Sequence, residues 1–232
     1  MGALHRMLKY AYRSGHINQI PIFPEFRGRN SIVIPEIVYI EPVESFKILE
    51  NIAIRHRPIF TFGTLTGCRP SESRALRKRD IKPSQITFAV TFGRNEELKE
   101  VKGKKIMPFP MTESLKGLFE TMPPNLTPWV FSNLETGKPY GRNFNRIYNR
   151  ARKKAGITNK LHLKEFFRQS FAMNALNQGV PKEMVSRLLR HQDPRTIEHY
   201  AEYLTSPLKS ALDKIQPASD LQSICKSEAV NQ

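Results

Sequence analysis

One segment of this chain has the composition of a strand, and it limits the fold more than any other feature. Ile86-Thr87-Phe88-Ala89-Val90-Thr91-Phe92 is dense in β-branched and aromatic residues, which suit a pleated, half-buried surface. Gly93-Arg94-Asn95 follows as a turn, and Ile106-Met107-Pro108 reads as a returning strand. Elsewhere apolar residues recur at helical spacing. Leu4, Met7, Leu8, Ala11 and Tyr12 mark a first helix ending near Gly15. Residues 20–36, with Pro21, Pro24, Gly28 and Pro35, read as a linker. Val43, Phe46, Leu49 and Ala53 predict a second helix, and Phe60 to Leu65 is an apolar, buried segment. A third helix starts near Pro70-Ser71-Glu72, because Pro suits a first turn and an acid suits the positive helix end. Helical signals then cover 112–121, 141–155, 166–178, 181–190 and 194–204. The sum is an α+β chain, mainly helical, with one small antiparallel sheet and no internal repeat.

The charge points to the partner. Lys and Arg number 37 against 21 Asp and Glu in 232 residues, a formal net charge of +16. The excess lies in the body of the chain. Arg69, Arg74, Arg77, Lys78, Arg79 and Lys82 face only Glu72 and Asp80 over residues 69–82. Residues 141–200 are similarly basic, whereas 207–232 is balanced. Cations concentrated in folded segments favour a polyanion, nucleic acid above all. With 39% hydrophobic residues the chain is too apolar to be disordered. No apolar run approaches the ~20 residues of a membrane helix, and the start MGALHRMLKY lacks the apolar stretch of a secretory signal. Cys68 and Cys225 form neither a C-x-x-C pair nor a disulfide scaffold. These features argue against a membrane protein, a secreted mini-protein and a zinc finger. They predict a cytoplasmic globular protein.

Four blocks carry the chemistry. Thr66-Gly67-Cys68-Arg69-Pro70-Ser71-Glu72 leads into Ala75-Leu76 and Asp80-Ile81. Arg168-Gln169-Ser170-Phe171-Ala172 precedes Gly179-Val180-Pro181. Leu188-Leu189-Arg190-His191 follows, and Tyr200 stands nine residues past His191 (200 − 191). In this order and spacing, residues 40–205 resemble the tyrosine recombinases, the phage-integrase type of DNA strand-exchange enzyme. The resemblance implies a catalytic domain over 40–206 with a small antiparallel three-stranded sheet. It makes 1–39 the last helix and linker of a DNA-gripping core-binding domain, and 207–232 a C-terminal helix and tail. It also implies a site-specific recombinase or integrase, of the kind that serves mobile elements, cutting and rejoining double-stranded DNA through a 3′-phosphotyrosine. The family works as a homo-tetramer on DNA, here expected to be a monomer off it. Leu204, Leu208, Leu212 and Ile215 would form the helix that docks on a neighbour.

The reaction explains why these residue types belong together. Tyrosine is a weak nucleophile at neutral pH because its pKa is about 10, and nearby cations help it ionise. Tyr200 is the expected nucleophile; Tyr203 lies three residues on and is expected to pack. Arg69 and Arg168 are expected on the non-bridging phosphate oxygens, since guanidinium presents a planar fork that never titrates away. His191 is expected to donate to the phosphate. In this family a hairpin lysine protonates the leaving 5′ oxygen. Lys99 and Lys102 stand nine and six residues before Pro108 (108 − 99 and 108 − 102), and Lys99 is preferred. Expected DNA contacts are Arg69, Arg74, Arg168, Arg190 and His191.

Two positions depart from the family pattern. Glu165 stands where a His usually precedes the second Arg by three residues. It acts as the proton acceptor for Tyr200, or His162 reaches in from one turn earlier, or the site is impaired. Arg190 replaces a Gly, either adding a phosphate contact or ending its helix differently. No carboxylate cluster or Cys/His set has metal-ligand spacing, and covalent tyrosine catalysis needs no cofactor. Two rivals remain: a type IB topoisomerase, with the same chemistry on unpaired sites, and a truncated, non-catalytic DNA-binding remnant.

Overall fold

The computed structural model describes residues 2–22, 37–100, 108–133, 136–141, 144–158 and 161–190. The chain divides into two units, Met1–Glu36 and Ile37–Gln232. The first holds helix α1 (Gly2–Arg13), which has no acidic residue in its first turn and Arg13 in its last. It leads to Gly15, whose φ of +74° turns the chain where a helix must stop.

The second unit is built around α3 (Arg57–Thr66). Ile59, Phe60, Phe62 and Gly63 on this helix are all buried. α2 (Pro42–Glu50) precedes it, and α4 (Pro70–Ala75) follows after a three-residue turn. α5 (Glu113–Glu120), α6 (Phe144–Lys154), α7 (Leu163–Asn177) and α8 (Lys182–Leu188) complete the α-helices among the described residues. Phe60 packs 4.4 Å from Phe144 of α6 and 6.2 Å from Phe167 of α7, ring centroid to centroid. Phe62 faces the other way, 5.0 Å from Phe131 and 6.1 Å from Phe88. The apolar segment Phe60–Leu65 is therefore a helix packed on several sides, with Thr61 and Thr64 half-exposed on the face they share with Arg57.

Gly63 makes the α3–α7 crossing possible. A Cβ there would lie 2.2 Å from the Phe167 ring. α7 also fixes the start of this unit: Ile40 N donates to Ser170 Oγ (2.9 Å) and Asn174 Nδ2 to Ile40 O (3.1 Å). A smaller cluster of Ala172, Leu176, Val185 and Leu189 joins α7 to α8.

The expected three-stranded sheet is instead two antiparallel pairs among the described residues. β1 (Gln85–Ile86) pairs with β4 (Phe109–Pro110), and β2 (Val90–Phe92) pairs with β3 (Leu98–Glu100). The strand-like run breaks because Thr87 N donates to Asp80 O (2.9 Å) and Phe88 is buried in the core. The returning strand begins at Phe109, just beyond Pro108; Ile106 and Met107 lie outside the described residues.

Several helix starts share one device. Glu44, Glu72 and Glu165 stand at the third position of α2, α4 and α7, and each accepts the backbone N–H of the residue before its helix. Asp80 does the same for Arg77 in a 3-10 turn. Each carboxylate satisfies an orphan donor and faces the positive helix end.

Candidate active site

The turn between α3 and α4 carries the first motif. Gly67 has φ +59°, and a Cβ there would meet Leu189 Cδ2 at 2.7 Å and Phe171 Cδ1 at 2.8 Å. Both the left-handed backbone and the close packing require glycine. Cys68 is fully buried, and burial, reinforced by the negative charge of Glu72, pushes its thiol up to about 12. Arg69 precedes α4, with Pro70 in the first turn.

Glu72 is the hub. It is 2% exposed and accepts Arg69 N (2.9 Å), Arg69 Nη1 (2.8 Å) and Arg190 Nη2 (3.2 Å). Burial alone would raise its carboxyl. Arg190, the Arg69 N–H and the Arg69 guanidinium outweigh that and hold it below the usual carboxylate range. The Arg69 side chain is 44% exposed, so the hub presents a guanidinium to solvent while anchoring it from within.

Arg168 comes from α7 and is 5% exposed. Its Nη1 donates to Gly67 O (3.2 Å) and its Nη2 to Leu189 O. It thereby joins the ends of α3 and α8. Arg168 thus reaches the turn that bears Arg69, 99 positions earlier in the sequence (168 − 69).

Arg190 and Arg74 expose little of their side chains, 10% and 11%. The Arg190 guanidinium lies over the Phe88 ring and bonds Glu72. Arg190 follows the end of α8 with φ +55°, the left-handed conformation that a glycine takes at this position. Arg74 donates to Tyr140 O and Glu96 Oε2 and lies 5.0 Å from the Phe92 ring centroid. Arg190 is held by a buried carboxylate, and Arg74 by a backbone carbonyl and the exposed Glu96 carboxylate, each against an aromatic face.

Glu165 accepts the His162 N–H (2.7 Å) as the carboxylate cap of α7. α7 starts at Leu163, three residues before the predicted boundary, so Glu165 is in its first turn. Lys99 lies on β3 with a 2.5 Å ion pair to Glu97 and is 55% exposed. It pairs across the strands with Thr91, so the two share a face. Thr91 Oγ1 donates to Ser71 Oγ of α4 (2.8 Å), which sets the hairpin against the helix that Arg69 begins. Lys102, His191, Tyr200, Tyr203 and the leucines after them lie outside the described residues.

A basic stripe escaped the sequence reading. Arg146, Arg150 and Lys153 of α6 are exposed at i, i+4 and i+7, so they share one face. α6 contains no acidic residue. Counting cations at helical spacing in Asn145–Lys154 would have found it. Two tyrosines of this unit are poor nucleophiles: burial pushes Tyr140 up to about 12, and Tyr148 is raised for the same reason. Among the described residues no His, Cys, Asp and Glu group is placed to hold a metal, and no helix is long and apolar enough to cross a membrane.

Comparison with known proteins gives a consistent result. The tyrosine recombinase XerC of Oceanobacillus iheyensis is 23% identical over 234 residues, covering 95% of this chain and 74% of that protein. A Tn1549 transposon integrase in complex with a circular intermediate DNA superposes with a TM-score of 0.68 at 16% identity, over 92% of this chain and 77% of that one. The XerA recombinase gives 0.61 at 20% identity, over 91% and 74%. A XerH recombinase bound to palindromic difH gives 0.57 at 18%, over 76% of this chain but 53% of that one. The phage integrase family model matches residues 41–206, the stretch that holds both arginines, the glutamate hub and the α3–α4 turn, and this chain belongs to that family, the tyrosine recombinases.

Proposed function

We propose that this chain cuts and rejoins double-stranded DNA at specific sites through a 3′-phosphotyrosine. The observation that carries the reading is the meeting of Arg69 and Arg168 at the Gly67 turn. In this reading the Tyr200 oxygen attacks phosphorus, and its proton passes to the Glu165 oxygen not used in the helix cap. Arg69, Arg168 and His191 neutralise the phosphorane-like transition state; losing one such donor typically costs ~2.7–4 kcal/mol. The phosphorus–oxygen bond to the 5′ side breaks, and Lys99 supplies the proton that makes a 5′ hydroxyl. A 5′ hydroxyl from another strand then reverses the step.

Residues 40–206 would be the catalytic domain, 1–39 the end of a core-binding domain, and 207–232 a tail that docks on a neighbour. The assembly would be a homo-tetramer on DNA, acting in the cytoplasm. The exposed stripe on α6 supports phosphate binding at low sequence specificity.

A nicked suicide duplex run on a denaturing gel tests this. The wild type should give a covalent adduct. Tyr200→Phe should abolish it with DNA binding nearly intact, and Tyr203→Phe should retain it. Adducts lost in Tyr203→Phe but kept in Tyr200→Phe would reassign the nucleophile. Binding without any adduct would identify a non-catalytic remnant. Supercoil relaxation without strand exchange would identify a topoisomerase.

A further inference from the structure

Arg190 occupies a backbone conformation that suits glycine. Its φ of +55° is uncommon for any residue with a Cβ. Yet its side chain is held at three points. Nη1 donates to Leu188 O (3.0 Å), Nη2 donates to Glu72 Oε2 (3.2 Å), and the guanidinium carbon lies 4.0 Å from the Phe88 ring centroid. The side chain is 10% exposed. A buried ion pair that is also hydrogen-bonded and stacked on an aromatic face is stiff.

The same Glu72 oxygen accepts the Arg69 N–H, and the other accepts the Arg69 guanidinium. Glu72 therefore bridges two arginines 121 positions apart (190 − 69). One begins α4 at the surface, and the other immediately precedes His191. Take Arg190 away and Glu72 keeps only the contacts to Arg69, inside a buried setting that disfavours its charge. The charged and titratable groups around it are Arg69 on its own helix, Arg190 beyond α8, the Cys68 thiol, and Arg168 of α7 on the far side of that thiol.

We propose that Arg190 is a positioning residue: through Glu72 it fixes the Arg69 guanidinium. The inference rests on the reading of Arg69 as a phosphate contact. Arg190 touches no phosphate itself.

Three substitutions test it. Arg190→Met keeps length and apolar cover over Phe88 but removes charge and donors. Arg190→Gly relaxes the positive φ, so loss of fold from backbone strain is not an issue. Arg190→Lys keeps the charge. In single-turnover cleavage of a nicked duplex at saturating protein, Met and Gly should fall at least tenfold, with Kd for DNA within threefold of wild type. Lys should recover part of the rate. In Met and Gly the acid limb of the pH–rate profile should move to higher pH than in the wild type, because Glu72 is protonated more readily. Adding Glu72→Gln to Arg190→Met should remove that displacement. Met and Gly variants that match the wild type at every pH would overturn the proposal. So would a uniform slowing at all pH values with Lys no better than Met, which is what a packing role produces. If the wild type forms no adduct, the recombinase reading fails instead. A ¹³C titration of the Glu72 carboxyl still decides this proposal, since identical titration in wild type and Arg190→Met would refute the hold of Arg190 on Glu72.

Discussion

Replacing Gly63 by alanine should destabilise the protein even though alanine is the better helix former. The new Cβ would lie 2.2 Å from Cε2 and Cζ of Phe167. Carbon pairs prefer roughly 3.5–4.0 Å, so ring and helix must part by about 1.5 Å. The ring has little room, with Phe60, Phe144 and Phe166 at centroid distances of 6.2, 6.2 and 5.8 Å. Overpacking a core costs about 1–3 kcal/mol, and an overlap this deep belongs at the upper end. Alanine recovers about 1 kcal/mol of helix propensity. The net loss is about 2 kcal/mol, which lowers Tm by about 4–8 °C in a domain of this size. Differential scanning calorimetry measures it. Adding Phe167→Leu to Gly63→Ala should give a double variant more stable than the two single effects summed, by about 1 kcal/mol or more. A Gly63→Ala protein that melts at or above the parent temperature would refute the claim that this glycine sets the α3–α7 approach.

Two further outcomes follow from named contacts. Glu165→Gln keeps an acceptor for the His162 N–H, so Tm should change by less than about 2 °C, while cleavage slows by about 10²–10⁴ and the acid limb of its pH profile flattens; a rate within about threefold of wild type from pH 5 to 9 would leave Glu165 a helix cap alone. Arg150→Gln and Lys153→Gln on α6 should each reduce the slope of log K against log salt by about 0.9 for one lost phosphate contact, and unchanged slopes in fluorescence anisotropy would remove α6 from the DNA surface.

The helix beginning at Pro70 was legible from a local start signal, a proline in its first turn and an acid at its third position, and α2 from its apolar spacing; the start of α7 at Leu163 was missed by three residues although Glu165 carries the same acidic signal. α3 was legible only as buried, since its contacts with Phe88, Phe131, Phe144 and Phe167 leave a polar face of just Arg57, Thr61 and Thr64 to reveal its period. The strand run was recognisable by composition, but its break at Thr87–Ala89 depends on Asp80 O and on a core that takes Phe88. At the site, Arg69 and Arg168 were paired through the resemblance of their motifs to a known family, and the structure has Arg168 donating to the turn that bears Arg69. The inward turn of Arg190 was not legible, because it needs Phe88 and Glu72, each about a hundred residues away in sequence. The contacts of Arg74 were not legible either, since they come from Tyr140 and Glu96, on separate segments.

Cys68 gives the α3–α4 turn a built-in chemical reporter. It sits between Gly67 and Arg69 with its thiol fully buried and pushed up to about 12, so at neutral pH it is neither ionised nor within reach of a reagent. Alkylation must wait for the turn to open, and its rate then counts openings of the segment that bears Arg69. DNA that settles on that guanidinium would hold the turn shut and slow the labelling. Occupancy of the site becomes visible by mass spectrometry with no strand ever being cut.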